Sequence, residues 1–229
     1  MILWSSKMDF FPLWNSIRVA GISTFITFFA GILAAYYVSF APRAVKGACD
    51  CVLTLPMVLP PTVVGFFLLK TIGPLGPVGS RVLALFGFKM TMTWYAAIFA
   101  TTIVTFPLMY RTVRGAFEAF DMDLQYSGQT LGLSDTYLFW HVRLPNCKQG
   151  ILSGTVLAFA RALGEYGATT MVTGYIPGRT ATISTTVYQL WREGNDSLAY
   201  RWVFVNLAIS FVVLISVNML ETGKRSVAV

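Results

Sequence analysis

Charge is scarce in this chain. Only 12% of its 229 residues are Asp, Glu, Lys or Arg, about half the share found in ordinary soluble domains, and acids are the rarer kind, ten against seventeen bases. Histidine occurs once, at His141, which excludes any site that draws two His ligands from one chain. Cysteine occurs three times, an odd number, so Cys49, Cys51 and Cys147 are read as reduced thiols, and a lone C-x-C does not make a metal site. The phosphate-cradling pattern G-x-x-x-x-G-K-[ST] is absent, because Gly223-Lys224-Arg225 lacks both the upstream glycine and the hydroxyl residue. The chain is therefore not expected to hydrolyse ATP. Its formal charge of +7 is scattered among apolar runs rather than gathered into a patch, which argues against nucleic acid as a partner. Internal repeats and low-complexity tracts are missing as well.

What fills the chain instead is hydrocarbon: 55% of residues are hydrophobic and the mean hydropathy is +0.64. A bilayer core needs about 20 apolar residues per crossing helix. Candidate spans lie at Ser16 to Phe40, Val52 to Ile72, Thr93 to Tyr110, Gly150 to Val172 and Trp202 to Leu220. The expectation is an all-α, polytopic membrane helical bundle of about five transmembrane helices, a single domain over residues 1–229. The first span is too long for a signal-peptide core and lacks a small-residue cleavage pattern, so it should be retained.

One stretch breaks the apolar pattern. Residues 121–148 are polar, longer than a minimal connection, and read as two short helices. Asp121 or Asp123 can cap the first, in which Leu124, Gly128 and Leu131 share a face; Gly132 can end it and Ser134 can cap the second. Leu133 and Leu138 stand where a hydrophobic staple would form. A membrane protein that keeps a structured, half-apolar helix pair in water offers a docking surface to a soluble partner.

Gly132, nine residues, Val142, Arg143 and Leu144-Pro145 resemble the coupling loop of ABC importer permeases, whose signature runs Glu-Ala-Ala, three residues, Gly, nine residues, Ile, one residue, Leu-Pro. Tyr126, Ser127 and Gly128 occupy the Glu-Ala-Ala positions: the small residues are kept and the acid is lost. Residues 55–61 (LPMVLPP), Phe106-Pro107-Leu108-Met109, residues 159–169 (FARALGEYGAT) and Ile176-Pro177-Gly178-Arg179-Thr180 resemble the molybdate-type oxyanion permeases of that class, over about Val52 to Trp191.

That resemblance implies a permease subunit of an ABC importer in the cytoplasmic membrane, moving an oxyanion, molybdate in the first place, with tungstate and sulfate/thiosulfate as alternatives. It implies a homodimer surrounded by membrane lipid, a pair of ABC ATPase subunits that bind the ATP, no cofactor in this chain, and an extracytoplasmic oxyanion-binding protein. Tyr126, Ser127, Gly128, Gly132, Val142, Leu144 and Pro145 would couple to the ATPase. With the loop inside and an odd number of spans, the N-terminus would lie outside and the C-terminus inside. An ion-coupled secondary transporter, the rival class, would need a coupling acid, and Glu165 is the one acid well inside a span.

Six residues are candidates for the path or a gate. Pro56, Pro60, Pro61 and Pro107 interrupt apolar helices and free backbone carbonyls, which suits a gate or a kinked scaffold alike. Arg161 and Glu165 stand one turn apart near mid-membrane, either as an ion pair gluing helices or in contact with the passing anion. Ser153, Gly154, Ala158, Ala162, Gly164, Gly167 and Ala168 give the same span a small-residue packing surface.

Positive-inside counting does not decide orientation. Arg43, Lys46, Arg111, Arg114, Arg143, Lys148, Lys224 and Arg225 on the inner side are matched by Lys7, Arg18, Lys70, Arg81, Lys89, Arg179, Arg192 and Arg201 outside. The outer set is either an electrostatic vestibule for anions or ordinary interfacial snorkelling. Two outer segments should be ordered: the Gly73-Pro74-Leu75-Gly76-Pro77 turn with a helix over 78–86, and a helix over 180–191 whose Ile183, Val187, Leu190 and Trp191 share a face. They form a platform for a binding protein or a seal on the bundle.

Overall fold

A computed structural model describes residues 9–222, and every regular element among them is helical. Lys7, Lys224 and Arg225, and with them the Gly223-Lys224-Arg225 stretch, lie outside the described residues. The Asp9 carboxylate accepts the Phe11 N–H at 3.0 Å and Pro12 fits the first turn, so α1 (Phe11–Ser39) begins ahead of the expected Ser16. Its sides are inverted relative to a helix in water. Asn15, Ser16, Ser23, Thr24 and Thr27 are buried, while Trp14, Phe25, Phe29, Leu33 and Tyr37 point outward. Most of the inward hydroxyls bond to main chain, Thr27 to the Ser23 carbonyl at 3.0 Å and Ser23 across to Ile98 at 3.1 Å, while Thr24 Oγ1 has no partner among the described residues. Apolar outside and largely self-satisfied polar inside is the arrangement hydrocarbon demands.

α1 packs against α5 (Trp94–Glu118) and α9 (Lys148–Leu163). Ile32, Ala35 and Val38, then Met109, Tyr110, Val113 and Phe117, then Ile151 and Ala158 form one buried cluster among the three. The small-residue surface of α9 makes this possible, since a Cβ on Gly154 would meet Met109 Sδ at 3.1 Å and Thr112 Cβ at 3.2 Å.

The expected spans divide into whole and broken ones. α1, α5 and α12 (Asp196–Thr222) are long and apolar enough to cross a membrane alone. The second is α2 (Arg43–Val58) followed by α3 (Pro61–Ile72), bent by 106°. Pro60 and Pro61 each lack an N–H, and Leu59 and Pro60, both followed by proline, are extended at ψ 143° and 135°. The fourth, expected whole over 150–172, is instead α9 and α10 (Gly167–Thr173) with an elbow at 164–166. Two other prolines do not interrupt as expected: α2 runs through Pro56, and α5 runs unbroken through the buried Pro107. One lost donor per proline is tolerated where neighbouring helices hold the chain in line.

At the end of the bundle away from residues 121–148, α4 (Gly79–Phe86) follows the Gly-Pro turn, and α11 (Ile183–Arg192) starts at a Thr182–Thr185 capping box. α11 buries Ile183 and Leu190 against Ala199 and Trp202 of α12 with Val187 half-buried, but Trp191, expected on that face, is exposed. Asn15 Nδ2 donates to the Ala181 carbonyl at 2.9 Å and the Ile183 N–H donates to Ser16 Oγ at 2.8 Å. These bonds favour the sealing role. Arg18 lies 3.4 Å over the Trp94 ring, as an interfacial cation resting on an aromatic.

Candidate functional site

Between α5 and α9 the chain folds into a bracket: α6 (Met122–Thr130), α7 (Asp135–Leu138), a π-helical turn (Phe139–Arg143) and α8 (Leu144–Asn146). Asp121 caps α6 by accepting the Asp123 N–H at 2.9 Å, and Ser134 caps α7 by accepting the Tyr137 N–H at 3.3 Å. Between them Gly132, at φ +81°, closes a Schellman turn: its N–H reaches the Gln129 carbonyl at 2.9 Å, and the Leu133 N–H reaches Gly128 at 3.1 Å. Gln129 Nε2 donates to Asp135 Oδ1 at 2.8 Å, tying the two helices together. Leu138 sits directly over Gly128, where any Cβ would collide with its methyls.

The bracket turns its other apolar groups to solvent. Leu131 is 80% exposed, and Leu124, Tyr126, Tyr137 and Trp140 stand exposed beside it, as do Ser127, Gly132 and Pro145. Of the expected docking face Leu124–Gly128–Leu131, Gly128 is therefore consumed by internal packing and the two leucines remain free. His141 is exposed and stacked on Tyr137 at 4.0 Å. The second helix is less regular than expected, because the π turn swings Phe139 onto Tyr36 of α1 at 4.5 Å. Val142 and Leu144 pack half-buried against the α1–α5–α9 cluster.

Two features at this end were not legible in the sequence. Arg143, counted there as a free basic residue, is buried under the bracket. The second is a charged clasp between α2 and α5: Asp50 pairs with Arg114, Lys46 with Glu118, and Tyr110 Oη donates to Asp50 Oδ1 at 2.5 Å. Arg114 also reaches Glu118 at 3.2 Å, along an open polar cleft of about 220 Å³ bordered by Arg111 and Thr54. The i, i+4 spacings Lys46/Asp50 and Arg114/Glu118 were the available signal. Cys147, a free thiol, is held against the Ala116 carbonyl at 3.3 Å, and burial pushes its pKa up, so it stays protonated and inert.

Four of the remaining candidates, Pro60, Pro61, Arg161 and Glu165, gather at the far end of α9, about 24 Å away by helix rise. Arg161 Nη1 lies 2.6 Å from Glu165 Oε2, and Glu165 Oε1 accepts the Ala168 N–H at 2.8 Å. Glu165 is only 3% exposed, and its carboxylate replaces the missing helical partner at the start of α10. Gly167 rests on Pro61 and Thr62, so the proline elbow and the glutamate elbow touch. The Arg161 side chain stays 34% exposed. Pro56 sits within α2 and Pro107 within α5, outside this cluster.

Comparison with known proteins adds an independent line. The family described as "Binding-protein-dependent transport system inner membrane component" matches residues 27–226. The molybdenum transport system permease protein ModB of Escherichia coli K12 is 37% identical over 219 residues, covering 93% of this chain and 96% of its own. ModB of Mycobacterium tuberculosis is 32% identical, covering 92% and 77%. A crystal structure of a bacterial alginate ABC transporter in complex with an alginate pentasaccharide-bound periplasmic protein superposes with a TM-score of 0.77 at 18% identity, covering 99% of this chain and 83% of that one. The chain is a multi-pass membrane protein that belongs to the family of binding-protein-dependent transport system inner membrane components.

Proposed function

We propose that this chain is the permease subunit of an ABC importer that carries molybdate across the cell membrane. The observation that carries this reading is the bracket: a helix pair closed by its own caps, fastened to the spans on one side and presenting exposed Leu124, Tyr126, Leu131, Tyr137 and Trp140 on the other. A surface so ordered and so apolar suits a soluble ATPase, and the ATP belongs to that partner. The names of the ModB relatives support molybdate as the cargo. The chain acts as one transmembrane domain, with the bracket and the C-terminus inside and the N-terminus outside. A second copy of the chain is the proposed cover for α2, which has no buried residue of its own. The path then runs between the copies past the elbows at Pro60–Pro61 and Arg161–Glu165. A binding protein delivers the anion from outside, ATP draws the ATPase pair together, and the brackets carry that motion to the spans.

Two experiments test it. In vesicles holding the permease, its ATPase and its binding protein, excess tungstate and sulfate should be compared as competitors of radiolabelled molybdate uptake. Molybdate uptake that needs ATP and withstands excess sulfate is expected; uptake driven by an ion gradient, or sulfate as the better competitor, overturns the assignment. The second concerns Gly132. No atom of the described residues would crowd its Cβ, so the cost of Gly132→Val is that of a left-handed backbone, about 1–2 kcal/mol. That loosens the bracket without touching the spans. Uptake should fall while the complex still hydrolyses ATP, and full uptake in the variant would count against the bracket as the transmission.

A further inference from the structure

Arg143 is 4% exposed and pairs with no carboxylate among the described residues. Its Nη2 donates to the Phe117 carbonyl at 3.2 Å and to Ser39 Oγ at 3.3 Å. Its guanidinium carbon lies 4.6 Å from the centre of the Phe40 ring and 5.0 Å from that of Phe117, with Phe120 and Tyr36 a little farther. Ser39 is the last residue of α1 and Phe117 lies in the last turn of α5. The cation therefore stands where the carbonyl-bearing, electronegative ends of two spanning helices converge, and ring faces complete its surroundings.

Burial opposes this arrangement, since it disfavours the charged guanidinium. An unbranched apolar residue would fill the same space without that cost, so stability alone does not explain an arginine here. What the guanidinium supplies, and an apolar group does not, is directional attachment to two helices at once from a third segment. Nε and Nη1 have no partners among the described residues, so the contact is a fork held by one nitrogen rather than a filled network.

We propose that Arg143 is the positioning residue that fastens the bracket to the ends of α1 and α5, so that a displacement of the bracket moves both spans together. The inference rests on the reading of the bracket as the ATPase-contacting element. It also defines what an ordinary packing residue would not do. Loss of packing lowers assembly, hydrolysis and uptake in proportion, whereas loss of the attachment lowers uptake per nucleotide hydrolysed.

The test uses the full transporter, with its ATPase and binding protein, in vesicles supplied with radiolabelled molybdate. Arg143→Met keeps the bulk and removes the charge; Arg143→Lys keeps the charge and loses the planar fork. Both should assemble and still hydrolyse ATP, with molybdate moved per nucleotide falling about tenfold for methionine and less for lysine. In a variant that assembles, an unchanged ratio, or hydrolysis and uptake falling in parallel, overturns the proposal. Should neither variant assemble, Phe40→Leu removes the nearest ring from a half-exposed position. It should lower the same ratio, and an unchanged ratio there overturns the proposal equally. Where Arg143→Lys does assemble, Phe40→Leu added to it should lower the ratio by less than the two separate effects combined, and full additivity counts against a shared joint. A photo-crosslinker at the exposed Leu131 separates this proposal from its premise: no crosslink to the ATPase in the otherwise wild-type chain defeats the bracket reading, while a crosslink with an unchanged Arg143 ratio defeats only the joint.

Discussion

Arg161→Leu should lower the stability of the folded chain by about 3–5 kcal/mol, toward the lower figure because the guanidinium is partly exposed. The damage comes from what is left behind. Glu165 is buried, and without its cation it remains a lone carboxylate between α9 and α10. Glu165→Gln should be far milder, because its amide oxygen can still accept the Ala168 N–H and the freed arginine can turn toward its exposed side. Thermal unfolding in detergent, with the monodisperse fraction after extraction, measures the order of severity. Glu165→Gln proving the worse of the two would show that the acid, not the pair, holds the elbow. Arg161→Gln separates structure from transport: a folded variant with normal uptake assigns the pair to gluing the elbow, and a folded variant without uptake assigns the exposed part of the guanidinium to the anion.

Gly65→Val should cost about 1–3 kcal/mol, near the top of that range, and stop transport as well. A Cβ on Gly65 would stand 2.8 Å from the Ala168 Cα and 2.8 Å from the Met171 Cβ, and 3.0 Å from the Ala168 carbonyl oxygen. Main chain cannot rotate aside as a side-chain tip can, so α3 and α10 must separate. Gly21→Ala, whose Cβ would meet nothing within 4 Å, serves as the control and should be neutral or slightly stabilising. Equal unfolding midpoints for the two variants would mean that the α3–α10 contact is not tight in the protein.

The features legible from sequence were those written in local chemistry. Asp121, Gly132 and Ser134 announce the bracket because each acts on backbone groups a few residues away. Long apolar runs announce α1, α5 and α12 for the same reason. The Pro60–Pro61 break was readable, but Pro107 looked identical and does not break α5, since only the surrounding helices decide whether one missing donor becomes a bend. The break at 164–166 carried no proline. Glu165 is recognisable as its cap only once the Ala168 N–H is seen facing it. Arg143 depends on rings and acceptors at positions 36 to 120, which no short motif could have joined to it.

Because Gly167 abuts Pro61 and Thr62 while Gly65 abuts Ala168, the bent spans lie crook within crook. Neither can straighten past the other without driving atoms of the two main chains into overlap. Whatever the transporter does to open or shut, this interlocked knuckle must travel as a single piece, and any flexing has to occur on either side of it.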